Sequence, residues 1–459
     1  MKNIKQVIVF LCLIVGGMCA LFGQKVSPKQ SQGERWKTGI AREVITPEVD
    51  VWMAGYASRT APSEGKLHDL WAKALALEDV DGNRALLITM DLLSVPADFS
   101  DRLKERIGRK HGLKKSQIIL SASHTHSGPV ITRALKYIYP MDADQWAVVD
   151  QYTARLESKL LRLADRAMQE MQPSHIYTGN GITRFQVNRR NNKERELTPT
   201  TALNGPNDYA VPVIKIEGLD QKLMAVVFGY ACHPTVLSGN RFCGDYPGFA
   251  QIELEKMYPG ATAMFFQGGG ADQNPLPRRA VSLALQYGKQ LAIAVEQVLS
   301  EKMVQQPAKL ETYYREIALP IEQPVSLDEM REMAVGDNYK ARWAKGMLDD
   351  YQQNGSFIRS YPYPIAYWKI GKQSLFALGG ELVVDYPLKL KELFGQDIFV
   401  MGYANDVMSY IPSETILEEG GYEGSDAHYV YGLPAKWSKQ VEALIIENCK
   451  RLVDEGNGK

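Results

Sequence analysis

The sequence predicts an α/β protein, a layered domain with a central mixed β-sheet or sheets flanked by helices. Three observations point there. Short apolar, strand-like runs alternate with amphipathic, helix-like ones along the chain. The apolar runs end in polar, often glycine-rich loops. No internal repeat or low-complexity tract breaks the alternation. Interleaving of this kind builds sheets covered by helices, and ligands in such folds gather at loops beyond the strand ends.

Each element follows from its own pattern. "RALLITMDLLSV" (84–95) predicts a buried strand running into a loop, and "ADFSDRLKERIGRKHG" (97–112) a helix that stops near Gly112. "QIILSASHTHSG" (117–128) reads as the next strand, with its histidines past the C-terminal end. "QYTARLESKLLRLADRAMQEM" (151–171) has apolar residues at helical spacing. "LMAVVFGYACHPTV" (223–236) and "ATAMFFQGGGADQNP" (261–275) are strands that end in polar loops. "YPIAYWKIGKQSLFALGGELVVDYP" (363–387) predicts a hairpin turning at Gly371-Lys372, with Glu381 just beyond its second strand. "AKWSKQVEALIIENCKRLVDE" (435–455) reads as a closing helix, and the region 320–360 as a helical insertion.

Composition bounds the function. Hydrophobic residues make up 45% and charged residues 23%, an ordinary globular profile. Lys+Arg and Asp+Glu both count 53, so the balance points neither to nucleic acid nor to an anionic membrane. "MKNIKQ" is basic and "VIVFLCLIVGGMCALFG" apolar, the pattern of a secretory signal. We expect a signal over 1–23, a polar tether over 24–35, one domain over 36–459, and export to the periplasm or medium without stable membrane insertion after removal of the signal. A retained anchor is the alternative. Cys12 and Cys19 fall in the signal, which leaves Cys232, Cys243 and Cys449. That is no disulfide framework; Cys232 and Cys243 either pair or are buried thiols.

Four predicted strand ends carry residues able to bind metal or move protons: His124 with His126, His233, Asp272 and Glu381. The loop "NDVMSYIPSETILEEGGYEG" (405–424) adds Tyr410 and Tyr422. Zinc accepts imidazole nitrogen and carboxylate oxygen, and a catalytic site keeps a position open for water. A His-x-His pair by itself is equally readable as turn histidines bonded to backbone. Glu381 is also readable as a helix N-terminal carboxylate, Tyr410 as core packing, and His68 as a structural group or one that orients a ligand.

"SHTHSGP" resembles the zinc-binding motif of the neutral, non-lysosomal ceramidases. The likeness continues in order through "ITPEVDVWMAGYA", "KLHDLWAKALALED", "FQVNRR", "YACHPTVLSG", "GDYPGFA", "ADQNP", "GGELVV" and "NDVMSYIPS". It implies one zinc ion held by His124, His233, Glu381 and Tyr410. It implies that His126 transfers protons beside the metal, that Asp272 lies near the attacking water, and that Arg189 faces the substrate carbonyl. Sequence does not choose between Arg189 and its neighbour Arg190. Asn274 stands where the family has a serine; an asparagine cannot be a nucleophile but can donate to an oxyanion. The chain also ends about where the family's catalytic domain ends, without the β-sandwich domain that follows it there, which argues against membrane-embedded lipid. The expected activity is hydrolysis of an amide (N-acyl) bond by zinc-activated water, on a small-molecule or lipid substrate. The alternatives are a zinc hydrolase for a polar N-acyl or carbohydrate-linked compound, and a non-catalytic zinc-bearing binding protein.

Overall fold

The structure is a computed structural model that describes residues 35–458. The expected signal, and the tether up to Glu34, lie outside the described residues.

The strands β1 (Trp36–Val44), β2 (Trp71–Glu78) and β3 (Arg84–Met90) pair antiparallel, and helix α1 (Ala97–His111) returns the chain to β4 (Ile118–Ala122), parallel to β3. Helix α2 (Ala143–Gln169) leads into β5 (Gln172–Ile182), the short β6 (Gln186–Asn188), β7 (Ala210–Gly218) and β8 (Leu223–Tyr230). Helix α3 (Asp245–Met257) crosses to β9 (Thr262–Gln267), parallel to β8, and β10 (Gln273–Pro275) pairs with β6. Helix α4 (Val281–Ser300) and β11 (Val304–Gln306) close this half. The result is a nine-stranded mixed sheet in the order β4-β3-β2-β1-β5-β7-β8-β9, with β11 on β5.

The second half contributes β12 (Leu310–Pro320), α5 (Leu327–Met333), α6 (Tyr339–Asn354), β13 (Ser360–Ile370), β14 (Gln373–Leu378), β15 (Glu381–Leu382), α7 (Asp385–Phe394), β16 (Phe399–Met401), β17 (Tyr410–Ile411), α8 (Glu414–Glu419), α9 (Ala427–Tyr431) and α10 (Val441–Gly456). Its sheet runs β12-β13-β14-β16, with β14 and β16 parallel. Parallel neighbours need a crossover connection, and α1, α3 and α7 supply those of β3–β4, β8–β9 and β14–β16.

Strand alternation explains the layering. In β2, Leu75 and Leu77 point into a core shared with Trp368 and Leu375 of the second sheet, while Ala74 and Ala76 face the helix side with Leu156 and Leu160 of α2. In β8, Val227 joins the inter-sheet core and Phe228 packs toward α3 and α4 with Phe249 and Leu291. On the outer face of the second sheet, Tyr367 and Phe376 meet Leu390 of α7 and Ile445 of α10. The order is therefore helices, sheet, sheet, helices. This is the expected layered α/β class, with both faces of each sheet covered.

Boundaries shift for local reasons. The 151–171 helix starts earlier, at Ala143, because Asp142 and Gln145 form a reciprocal capping box. The closing helix starts later, at Val441, because the backbone of 436–438 pairs with the end of β12: Glu322 N–H donates to Lys436 O (2.9 Å) and Ser438 N–H to Pro320 O (3.0 Å). Region 320–360 is the expected helical insertion: α5 and α6 pack around Trp343 and Tyr137. Cys232, Cys243 and Cys449 are buried free thiols.

Candidate metal centre

The ends of β4, β8 and β14 meet at one point. Past β4 the chain turns sharply, with His124 at φ 63°, a left-handed conformation uncommon for a histidine and found where surrounding structure enforces it. The enforcing bonds are Ser123 N–H to Met90 O and His124 N–H to Leu92 O, both 2.9 Å. The two histidines thus lie off the strand, and the turn, not strand pleat, sets their convergence. His233 follows β8 and is fixed by its N–H to Gln273 O (2.9 Å). Glu381 and Tyr410 are register partners in the two-residue parallel pair β15–β17.

The ring hydrogen bonds decide which nitrogens are free. His124 Nδ1 donates to Leu93 O (2.7 Å) and His233 Nδ1 to Gly270 O (3.1 Å). In the neutral rings this leaves both Nε2 atoms as bare lone pairs. They lie 3.1 Å apart, and Glu381 Oε2 is 3.1 Å from one and 3.3 Å from the other. The Tyr410 hydroxyl is 3.5 Å from His233 Nε2. All four side chains are buried. Zinc bonds of 2.0–2.2 Å in a tetrahedron place ligand atoms about 3.3–3.6 Å apart, so the donor set fits that ion. Without a cation, lone pairs so close would repel. Burial raises the Glu381 carboxyl, while positive charge on the His124 and His233 rings and donation from them would hold it well below its ordinary range. Burial lowers His233 to about 4, so its ring is neutral.

His126 differs. Its Nε2 is 3.2 Å from His124 Nε2, and the three imidazoles form a compact nitrogen cluster. Its Nδ1 is buried without a partner among the described residues. Metal-ligating histidines generally donate that second proton to a carbonyl or carboxylate, as His124 and His233 do here. Burial, then the charge of the neighbouring imidazoles, keeps His126 well below its usual pKa.

Arg189, rather than Arg190, reaches the centre. It donates from Nη2 to the Tyr410 hydroxyl (3.1 Å) and from Nε to Glu423 (2.7 Å). Burial would lower its pKa, but Tyr410 and Glu423 hold it well above the ordinary value. Arg190 turns to Glu423 and Glu419. Asp272 is buried with both oxygens engaged, Oδ1 by Val384 N–H (3.0 Å) and Oδ2 by Asn188 Nδ2 (2.9 Å). Burial pushes it up to about 6. Among the described residues no hydrogen bond joins it to the imidazoles. Asn274 lies on β10 opposite Val187 of β6, buried, its Oδ1 unpartnered. His68 is tied into the loop before α3, its Nε2 3.2 Å from Cys243 Sγ.

The sequence reading missed five neighbours. Tyr403 and Tyr431 direct their hydroxyls at the two oxygens of Glu381. Glu423 orients Arg189. Arg59 is a buried guanidinium that donates to the carbonyls of Ala54, His126 and Gly239. Tyr56 packs its ring 4.7 Å from that of His126, tilted by 46°. Arg59, Tyr56 and Tyr403 lie in loops, and Glu423 and Tyr431 in short helical turns; the Arg59–carbonyl bonds in particular have no spacing signature.

Residues 36–272 match the sequence profile of the family described as neutral/alkaline non-lysosomal ceramidase, N-terminal. The chain belongs to this family. The neutral ceramidase of Drosophila pseudoobscura pseudoobscura is 24% identical over 268 residues, 55% of this chain and 35% of that protein. The neutral ceramidase of Pseudomonas aeruginosa is 21% identical over 265 residues, 54% of this chain and 38% of that protein. The chain thus matches little more than a third of the length of these relatives. In fold, the solved neutral ceramidase from Pseudomonas aeruginosa superposes with a TM-score of 0.68 at 18% identity, covering 90% of this chain and 72% of that one. The ceramidase fold thus extends well beyond the segment that sequence similarity reaches.

Proposed function

We propose that the chain is a zinc-dependent amidohydrolase. The observation that supports it is the convergence of two bare imidazole nitrogens and a carboxylate oxygen, 3.1–3.3 Å apart, with a tyrosine hydroxyl beside them. His124, His233, Glu381 and Tyr410 would hold the ion. When bound, zinc supplies a Lewis acid that polarises an amide carbonyl and lowers the pKa of water. The chain's own groups do the rest. His126, neutral and with its Nε2 turned to the imidazole cluster, accepts a proton from the attacking water and returns it to the leaving nitrogen. The C–N bond breaks, and the products are a carboxylic acid and an amine. Arg189 and Asn274 steady the charge on the carbonyl oxygen. Asp272, expected to carry protons, acts through the two groups it holds: Val384 near Glu381, and Asn188 next to Arg189. Tyr403 and Tyr431 orient Glu381. We further propose export, on the basic-then-apolar run over 1–23.

The test combines metal analysis with release of free amine from a panel of N-acyl substrates. We expect about one zinc per chain, with most of it lost in both His124→Ala and His233→Ala. Full zinc in both variants overturns the ligand assignment. Zinc without turnover on any N-acyl compound favours a binding protein instead. A mature N-terminus between Leu21 and Lys25 supports export, and an intact Met1 on cytoplasmic protein rejects it.

A further inference from the structure

The guanidinium that bonds Tyr410 also lines a cavity of about 430 Å³, which Asn274 and Tyr422 share. Its lining is charged. Arg190, Lys193 and Arg278 stand with Glu194, Glu419 and Glu423, and Leu276 is the aliphatic exception. These charges are mostly matched: Arg278 pairs with Glu194, Arg190 with Glu419 and Glu423, and Arg189 with Glu423. A matched set exerts little net pull on an ion. It does present forked, planar donors and acceptors side by side, the geometry that vicinal hydroxyls satisfy.

Two further observations point to the occupant. Asn274 is only 6% exposed, and among the described residues its Oδ1 has no hydrogen-bond partner. A buried acceptor left unpaired is costly, so the site asks for a ligand that brings a donor. An acyl chain brings none, and it would desolvate the ion pairs without replacing their water. Tyr422 is 41% exposed, its ring set edge-on to Tyr410 with centroids 5.2 Å apart. It offers a flat apolar face beside a polar wall, as a sugar ring with C–H faces and O–H edges requires.

We propose that this cavity seats a polyhydroxylated ring, and that the substrate class is N-acylated amino sugars rather than long-chain N-acyl lipids. The amide to be cut would then lie between the sugar and the metal centre, with Arg189 spanning the two. This proposal rests on the amidohydrolase reading above and names its substrate.

Binding is measured on the full chain, zinc-loaded and zinc-stripped, by saturation-transfer NMR. The probes are N-acetylglucosamine, its β-1,4-linked disaccharide and a soluble short-chain ceramide. The expected result is transfer to sugar ring hydrogens with or without zinc. It should disappear in Tyr422→Ala and persist in Tyr422→Phe. Asn274→Ala should weaken sugar binding about five- to tenfold, the worth of one hydrogen bond. Far-ultraviolet circular dichroism confirms that each variant is folded. Short-chain ceramide binding with no sugar signal overturns the proposal, as does sugar binding that neither substitution changes. Sugar binding with amine released from ceramide but from neither sugar overturns the substrate assignment and leaves the amidohydrolase reading standing. Ceramide hydrolysis without sugar binding does the same.

Discussion

At His126 the two ring nitrogens have different fates: Nε2 joins the imidazole cluster, and Nδ1 is buried with nothing to bond. That asymmetry separates it from His124 and His233, whose second nitrogens are braced by carbonyls. His126→Ala should therefore keep its zinc and lose about 10²–10⁴-fold in turnover, the usual worth of a positioned proton carrier. Metal loss from His126→Ala, with retention in His124→Ala, would show the roles reversed. Asn274 makes a second case. Asn274→Ala removes the side-chain NH2 and should cost about 10²–10³-fold in rate, as loss of an oxyanion donor does, and leave zinc bound. Parent-rate turnover by that variant removes Asn274 from the chemistry. Both residues were visible in the sequence, His126 from its spacing and Asn274 as a departure from a family pattern. Arg59, which grips the His126 carbonyl, was not, because nothing in "ASRTAP" marks a guanidinium that will be buried.

At the element scale, the shortest strands matter most. The pair β15–β17 contains two residues each, yet it sets Glu381 beside Tyr410. Gly380 precedes it at φ 73°, and a Cβ there would meet Ile411 Cγ1 at 2.3 Å and Ser409 O at 2.9 Å. Gly380→Ala combines a left-handed alanine with a backbone clash, together roughly 2–4 kcal/mol. We expect a lower urea midpoint and faster zinc loss to a chelator than in the parent. An unchanged chelation rate would mean that the register of this pair does not control the site. The long elements were legible because their periodicity is local: the apolar positions of α2 and the alternation in β2 can be counted along the chain. The two-residue bridges were not, since their only signal is a partner far away in sequence. Nor was the division into two sheets. Continuous apolar runs such as "LLITM" announce burial on both faces without saying whether a helix or a second sheet covers each.

On the scale of the whole molecule, two buried groups set an opposing pH dependence. Burial pushes the Asp406 carboxyl up to about 7, although the Tyr361 hydroxyl donates to it (2.9 Å). Burial lowers Lys104 to about 7, and its Nζ has no hydrogen-bond partner. For Asp406 the folded state binds the proton more tightly than the unfolded chain, so its contribution to stability falls as pH rises from about 4 to 7. For Lys104 the unfolded chain binds the proton more tightly, so its contribution rises between about pH 7 and 10. Together they place a trough near neutrality, on the order of a few kcal/mol deep. Urea midpoints across pH should show the lower limb flattened in Asp406→Asn and the upper limb flattened in Lys104→Met. Variant curves running parallel to the parent would exclude both groups. The long reach of the metal centre along the chain carries a consequence of its own. Its donors run from His124 to Tyr410 and come together only once both sheets have paired. Ligands so distant in sequence cannot form a nucleus, because loop closure on that scale precedes any gain from binding. An ion held there would therefore arrive late in maturation, entering a chain already built. Chelator-treated protein should keep its circular dichroism and cooperative unfolding, and should recover zinc on simple addition without passing through a denatured state.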